Sequence, residues 1–290
     1  MVKVIFGPSF MDETPDDEDD RKMVIAALER LIQEAMTAIM ITVPDFVKRV
    51  EVESDGAVFH SVPVVAPNGV AVRLNLSDEH SYSSSKDVED DEKSLRSIIY
   101  HEIYHLNDRL DPGFGFDYQR DSQVEGQKDR REINGLWDIA IERRKLDNFG
   151  IDPFVTFTSG FKGLKAREAV LQNFMKIFGE SQVTRELFKR VWDDKNGIVT
   201  HRDLIQMAAE LTAEINKNVF KGLKEAVKQY IPVTDLEKVL SAVDAMERSR
   251  GRSRFASAYA TFLGLVPAHL RFFETFMPIL ATRAGWIATP

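Results

Sequence analysis

The residues best suited to chemistry in this chain are two histidines and a glutamate, His101, Glu102 and His105, which form the motif H-E-x-x-H. On a helix, residues four apart lie one turn above each other, so both imidazoles can bind one tetrahedral metal ion. A glutamate beside them is placed to remove a proton from water at that metal. The motif therefore predicts a zinc hydrolase with one Zn²⁺ per chain and with Glu102 as the catalytic general base.

This chemistry requires that the motif lies on a helix. The sequence around it contains no Gly or Pro, and a set of apolar residues repeats at helical spacing. These residues are Leu95, Ile99, Ile103, Leu106 and Leu110. The alternative is a chance occurrence of the motif on a solvated helix, where the neighbours would be polar. The apolar neighbours favour a metal site.

A third metal ligand is needed, because a catalytic zinc site normally has three protein ligands and a water molecule. Asp111 lies six residues after His105, the spacing of the last ligand in the metzincin-like pattern H-E-x-x-H-x-x-G-x-x-H. That pattern uses a Gly for the turn after the helix, and this chain has Asp108 at that position. Asp111 is therefore an alternative ligand.

A second pair of candidates lies further along the chain. Asp138 and Glu142 are four residues apart in an apolar segment, so they share one face of a predicted helix. Carboxylates in such a segment need a partner, because burying an unpaired charge is costly. The partner is either a metal site, which one of the two would complete, or the neighbouring Arg143 and Arg144 in a structural ion pair.

The elements that must position these residues are predicted from hydrophobic periodicity. An apolar stripe that ends at Ile39 predicts a helix near the N-terminus, after a run of acidic residues. Strands are predicted around Val50 and from Val70 to Leu76, with tight turns at Asp55-Gly56 and Asn68-Gly69. From Pro153 to the end the pattern is helical throughout.

The order of helix, short meander and H-E-x-x-H helix resembles the upper half of zincin metallopeptidases. The resemblance implies an α+β fold, in which a zincin-like N-terminal half has a backing helix, a small mixed or antiparallel sheet and the active-site helix. Residues 1–152 would form this metallopeptidase domain with the metal site. Residues 153–290 would form an all-α domain that makes the cleft wall or a partner-binding cap. The strand Val70 to Leu76 would line the cleft and pair with an extended substrate.

The segment Leu136 to Glu142 resembles the W-N-x-A-x-D segment of putative metallopeptidase domains associated with von Willebrand A-like proteins. Trp137 and Ala140 match that segment, and Glu142 falls on its acidic position, whereas Asp138 stands where the pattern has Asn. The resemblance implies a gluzincin-type site in which Glu142 is the third zinc ligand beside the two histidines. Asp138 would then accept a hydrogen bond from an imidazole N–H or serve as the alternative ligand.

Composition narrows the function further. The net charge of -8 argues against binding to nucleic acids or anionic membranes, and the absence of cysteine excludes a thiolate site. With no signal peptide or membrane span, a cytoplasmic location is expected. The expected substrate is a peptide or protein, and the helical C-terminal half could bind a protein partner. The alternative function is a catalytically inactive zinc-binding or structural protein-interaction module.

Overall fold

A computed structural model of the chain describes residues 3–12, 14–40, 47–53, 60–66, 69–75, 84–116, 130–153, 161, 163–193, 199–249 and 252–266. The chain divides into two compact units, Met1–Ala209 and Glu210–Pro290. The boundary between them falls later along the chain than the predicted boundary after residue 152. All the predicted site residues belong to the first unit.

The described elements of the first unit are a small sheet and a larger set of helices. The strands are β1 (Lys3–Phe6), β2 (Val47–Glu53), β3 (His60–Ala66) and β4 (Gly69–Asn75). The helices are α1 (Pro8–Met11), α2 (Glu18–Ile39), α3 (Ser85–Asp90), α4 (Glu92–Leu110), α5 (Arg130–Phe149), α6 (Ala166–Phe178) and α7 (Gln182–Trp192). Helix α8 (His201–Tyr230) crosses the boundary between the units.

The N-terminal helix α2 confirms the prediction from the apolar stripe. Asp17 caps it by accepting hydrogen bonds from the backbone N–H groups of Asp19 and Asp20, at 3.1 and 2.9 Å. The acidic first turn also suits the positive end of the helix dipole. The stripe is buried at Val24, Leu28, Leu31, Ile32, Ala35 and Ile39, and α2 packs against α4.

The sheet has the strand order β1-β2-β4-β3. Strand β1 pairs with β2 in parallel, β2 pairs with β4 in parallel, and β3 pairs with β4 antiparallel. The pairing of Ala66 with Gly69 agrees with the predicted turn before β4, although Asn68 lies outside the described residues. The predicted hairpin at Asp55-Gly56 is wrong as a pairing, because β2 and β3 are not neighbours. Those two residues also lie outside the described part of the chain.

The role predicted for the strand Val70 to Leu76 is also wrong. Strand β4 hydrogen-bonds to β2 on one side and to β3 on the other, so neither edge of its backbone is open to a substrate. The edge strand beside α4 is β3. An alternating sequence predicts which face of a strand is buried but not which strand lies next to it.

The motif lies on helix α4, as its chemistry requires. The stripe residues Leu95, Ile99, Ile103 and Leu106 are at most 1% exposed, and Leu110 is the last residue of the helix. Asp111 ends the helix, and its side chain accepts a hydrogen bond from the Gly113 N–H at 2.8 Å. Helices α2 and α5 supply most of the surface against which α4 packs.

The predicted α+β, zincin-like fold class is corrected by these elements. Most of the described residues are helical, and the sheet is small, with a four-residue first strand. The buried stripe of α4 is covered mainly by other helices. The predicted small sheet is present, but the described part of the chain is mostly helical.

Helix α5 begins earlier than predicted. Asn134 is of a residue type that often caps helices, so it predicts a start there, with an end near Gly150, but the helix starts at Arg130 and contains Asn134 in its second turn. Its end agrees with the prediction, because Gly150 follows Phe149 with a left-handed φ of 63° that glycine adopts readily. Helix α5 packs against α4, α6 and α7.

The second unit contains the C-terminal part of α8 together with α9 (Val233–Arg248) and α10 (Arg252–Leu265). These helices share a buried apolar cluster that includes Phe220, Leu223, Val243 and Phe262. At the surface of this unit, Lys224 contacts Asp244 and Glu247 at 2.7 and 2.5 Å.

Gly135 lies where α5 contacts α6. A Cβ at this position would lie 2.7 Å from ring atoms of Phe178, a side chain that is 7% exposed. Alanine normally stabilises a helix interior by about 0.5–1 kcal/mol relative to glycine. We expect Gly135→Ala to lower the free energy of unfolding by about 1–3 kcal/mol instead, because the ring must be displaced. Urea denaturation followed by circular dichroism would measure this.

Gly264→Ala is the matched control for that experiment. Gly264 also lies in a helix, and among the described residues nothing lies within 4 Å of a Cβ placed there. We expect this variant to be stabilised by about 0.5–1 kcal/mol. Equal stabilisation of both variants would show that α5 and α6 do not approach each other as closely as described.

Candidate metal centre

The candidate site lies between two helices that each present a pair of side chains one turn apart. Helix α4 carries His101 and His105, and helix α5 carries Asp138 and Glu142. Because α4 packs against α5, the two pairs face each other. The structure thus brings together the motif histidines and the two acidic candidates from the second segment.

Three donor atoms converge in this interface. His105 Nε2 lies 3.1 Å from His101 Nε2 and 3.1 Å from Asp138 Oδ1, and His101 Nε2 lies 3.5 Å from the same oxygen. Two imidazole lone pairs at such a distance repel each other unless a proton or a metal cation lies between them. His101, His105 and Asp138 therefore form a group that could hold a metal ion.

Glu142 lies on the other side of the His101 ring. Its Oε1 atom is 2.6 Å from His101 Nδ1, so the Nδ1–H donates to the carboxylate and the Nε2 atom faces the cluster. Glu142 was predicted as the third ligand and Asp138 as the alternative. The structure places Asp138 in the cluster. Glu142 instead accepts a hydrogen bond from an imidazole N–H, which is the other role that the sequence predicts for Asp138.

Glu142 also accepts hydrogen bonds from a buried lysine. Lys145 Nζ donates to both carboxylate oxygens of Glu142, at 2.9 and 3.0 Å, and to Ser97 Oγ at 2.8 Å. The Ser97 hydroxyl donates in turn to the backbone carbonyl of Asp152 at 3.0 Å. A hydrogen-bonded chain therefore leads from the backbone at Asp152 to the imidazole of His101.

His105 is positioned by packing. The ring of Trp137 meets the His105 ring edge-on, with 4.6 Å between the centroids. Trp137 is held by its Nε1–H, which donates to Asp108 at 2.7 Å, and Asp108 also accepts two hydrogen bonds from Arg144. The guanidinium of Arg144 lies over the Tyr104 ring, 4.7 Å from its centroid. On the side of Nδ1, which has no hydrogen-bond partner among the described residues, the second imidazole is therefore held by packing.

The charges in the site follow from these contacts. Burial by itself would lower the pKa of His101, but its hydrogen bonds to Asp138 and Glu142 raise that pKa to about 9. Burial would raise the pKa of Asp138, but the two histidines hold it well below its usual range. The pKa of Glu142 is likewise lowered, because Lys145 and His101 outweigh the effect of burial. Both carboxylates are thus ionised and suited to bind or orient cationic groups.

The remaining predicted residues lie as follows. Glu102 is in the same helical turn as the two histidines and is 4% exposed. Asp111 is exposed, and its carboxylate is engaged by Gly113 beyond the end of α4. The alternative in which Arg143 and Arg144 neutralise the acidic pair does not agree with the structure. Arg143 bonds to Asp147, and Arg144 bonds to Asp108.

Sequence reasoning did not identify Lys145 or Ser97. A lysine is usually solvated, so Lys145 gave no sign of being fully buried. The available signal was its position, three residues after Glu142 and four after Ile141, which places it on the same helix face as these two residues. Asp108 had been considered only as a departure from a ligand pattern, and its contact with Trp137 was not expected.

Comparison with known proteins gives no relative. No protein-family model, no curated protein and no solved structure matches the chain. The resemblance to putative metallopeptidase domains therefore rests only on the segments quoted from the sequence. Separately, none of the described helices is long and apolar enough to cross a membrane.

The geometry predicts the order in which acidic residues matter for metal binding. Replacing a residue that hydrogen-bonds to a metal ligand typically weakens metal binding by roughly 10–100-fold. We expect Asp138→Ala to weaken Co²⁺ binding by more than this, because it removes one of the three donor atoms. Glu142→Ala should fall within that range, because it removes the partner of His101 and leaves the three donors. Competition with a chromophoric chelator would measure the dissociation constants.

Asp111→Ala is the control, since its exposed carboxylate is not part of the cluster, and its affinity for Co²⁺ should equal that of the unmodified protein. A larger loss for Glu142→Ala than for Asp138→Ala would return the ligand role to Glu142. A loss for Asp111→Ala alone would move the site to the end of α4.

Proposed function

We propose that this protein is a zinc-dependent metallopeptidase. In this proposal Zn²⁺ is held by His101, His105 and Asp138, Glu102 is the general base, and Glu142 orients His101. The substrate class is peptides or unfolded protein segments. The proposal keeps the reaction predicted from the H-E-x-x-H motif and revises the third ligand.

The observation that carries the proposal is the spacing of the three donor atoms. Zinc binds nitrogen and oxygen ligands at roughly 2.0–2.2 Å in a tetrahedral arrangement, which requires donor atoms about 3.3 Å apart. The three separations in the cluster are 3.1, 3.1 and 3.5 Å. These separations are close to the spacing that a tetrahedral zinc ion requires of its ligands.

The number and type of donors favour a catalytic centre over a structural one. Structural zinc sites normally have four protein ligands, whereas catalytic sites have three and leave a position for water or substrate. Within the described residues the cluster has three donors. His105 and Asp138 keep 12% and 22% of their side-chain surface exposed. This supports an enzyme rather than the inactive structural module.

Each residue of the site has a separate role in the proposed reaction. Zinc bound here would polarise the scissile carbonyl and acidify a water molecule. Glu102 removes the proton from the attacking water and passes it to the leaving amine, so no serine or cysteine nucleophile is needed. Glu142 keeps the Nδ1–H of His101 hydrogen-bonded, so that Nε2 offers its lone pair to the cluster.

The decisive variant is Glu102→Gln. The amide keeps the size of the side chain but cannot accept a proton, so the variant should still contain about one zinc ion per chain. Its rate of hydrolysis of a peptide library or an unfolded protein should fall by about 10²–10⁴-fold. Metal analysis of the purified protein and mass spectrometry of the products would measure both quantities.

Asp111→Asn serves as the matched acid-to-amide control, and we expect it to retain both zinc and activity. If Glu102→Gln remains active, the general base has been assigned to the wrong residue. If the purified protein contains no zinc even after supplementation, the metallopeptidase proposal itself is refuted.

A further inference from the structure

Lys145 is a charged residue in the site that the reaction itself does not use. Its side chain is 0% exposed, and so is that of Glu142, to which it donates two hydrogen bonds. Neither group reaches the surface, and the proposed reaction requires no cation at this position. A buried lysine therefore needs a separate explanation.

Stability alone does not explain it. A buried ion pair loses hydration on both sides, and replacing such a pair with apolar residues of similar volume is often neutral or stabilising. The same two helices bury apolar residues completely, such as Ile99 and Ile141, so an apolar side chain in place of Lys145 would suit this interface. The pair is better explained by what it holds in place.

The donor and the acceptor of each hydrogen bond around Lys145 can be assigned. The Ser97 hydroxyl donates to the carbonyl of Asp152 and therefore accepts from Lys145. Lys145 donates to the Glu142 carboxylate, and His101 Nδ1–H donates to the same carboxylate from the other side. Each group has a defined role as donor or acceptor, and the chain ends at a histidine that faces the metal position.

We infer that Lys145 is a positioning residue for the metal centre. Ser97 anchors Lys145, and Lys145 holds the Glu142 carboxylate in the position from which it orients His101. The inference rests on the proposed metal site but not on peptide hydrolysis. Glu142 alone, on a flexible side chain, could turn away from the imidazole. With Lys145 on both oxygens, its carboxylate is fixed, and Oε1 remains 2.6 Å from Nδ1.

The test is Lys145→Met, which keeps an unbranched side chain of similar length but removes the ammonium group. We expect the variant to bind Co²⁺ and Zn²⁺ about 10–100-fold more weakly in chelator competition. The visible spectrum of bound Co²⁺, which reports on ligand geometry, should change as well. The matched control is Lys93→Met, because Lys93 lies on α4 and bonds to Asp152 but is exposed. Its affinity should equal that of the unmodified protein.

A double-mutant cycle separates positioning from general support of the fold. If Lys145 acts through Glu142, Lys145→Met should have little further effect on metal affinity when Glu142→Gln is already present. If it merely stabilises the fold, the melting temperature should fall in both backgrounds while the metal affinity of the folded protein is unchanged. That result, or additive losses of affinity, would overturn the inference.

Ser97→Ala provides a second variant in case Lys145→Met does not fold. Removal of the hydroxyl leaves the charges in place but removes the anchor of Lys145, so we expect a smaller loss of affinity with a Co²⁺ spectrum altered in the same direction. Unchanged affinity and spectrum in this variant would refute the positioning role.

The outcomes also distinguish this inference from the proposed function. If Lys145→Met and Ser97→Ala bind metal as tightly as the unmodified protein, the positioning role is wrong and the metallopeptidase proposal is unaffected. If they bind more weakly but the unmodified protein hydrolyses no peptide, only the proposed reaction is wrong. If the unmodified protein binds neither metal, both are wrong.

Discussion

The first unit depends on one constraint, which is that the ionisable side chains buried between α4 and α5 must all be paired. A buried charge without a partner costs several kcal/mol, so these residues permit only registers in which each one meets its partner. Three of the polar pairs that connect the helices show this register, because their numbers rise along α4 as they fall along α5. The pairs are Ser97 with Lys145, His101 with Glu142, and His105 with Asp138. The two helices therefore run antiparallel in a register set by polar contacts, and the apolar residues fill the remaining space.

The same interface contains a second buried polar group, which lies next to the candidate metal site. Beyond His105, Asp108 binds Trp137 and Arg144, which closes the interface with a fully paired charge and a large buried ring. This group also supports the site, because Trp137 is the residue that packs against the His105 ring. One imidazole is thus fixed by a charged hydrogen bond and the other by packing. His101 is held at Nδ1 and His105 by the contact of its ring with Trp137, so both Nε2 atoms remain in the cluster that could hold a metal.

The parts of this structure that could be predicted from sequence are those in which the signal is local. Helical periodicity identified α2 and α4, and the spacing of Asp138 and Glu142 in an apolar segment indicated a shared, buried helix face. The order of strands could not be predicted, because alternation defines the faces of β2 and β4 and carries no information about which strand lies beside them. The start of α5 was missed because Asn134, a residue that often caps helices, lies inside this one. Lys145 was missed because its burial depends on Ser97, which lies 48 positions away in sequence.

The choice between Asp138 and Glu142 as ligand required three dimensions, and the structure shows why. The two residues share a face but lie one turn apart, a separation of about 6 Å along the helix axis. The shorter carboxylate lies level with His105, where its oxygen reaches both Nε2 atoms. The longer one lies level with His101 and is held from behind by Lys145, so it reaches Nδ1 instead. For Glu142 to lie level with His105, α5 would have to slide by a turn, and that movement would separate Lys145 from Ser97. Lys145, which holds Glu142 against His101, therefore also determines which carboxylate can join the cluster.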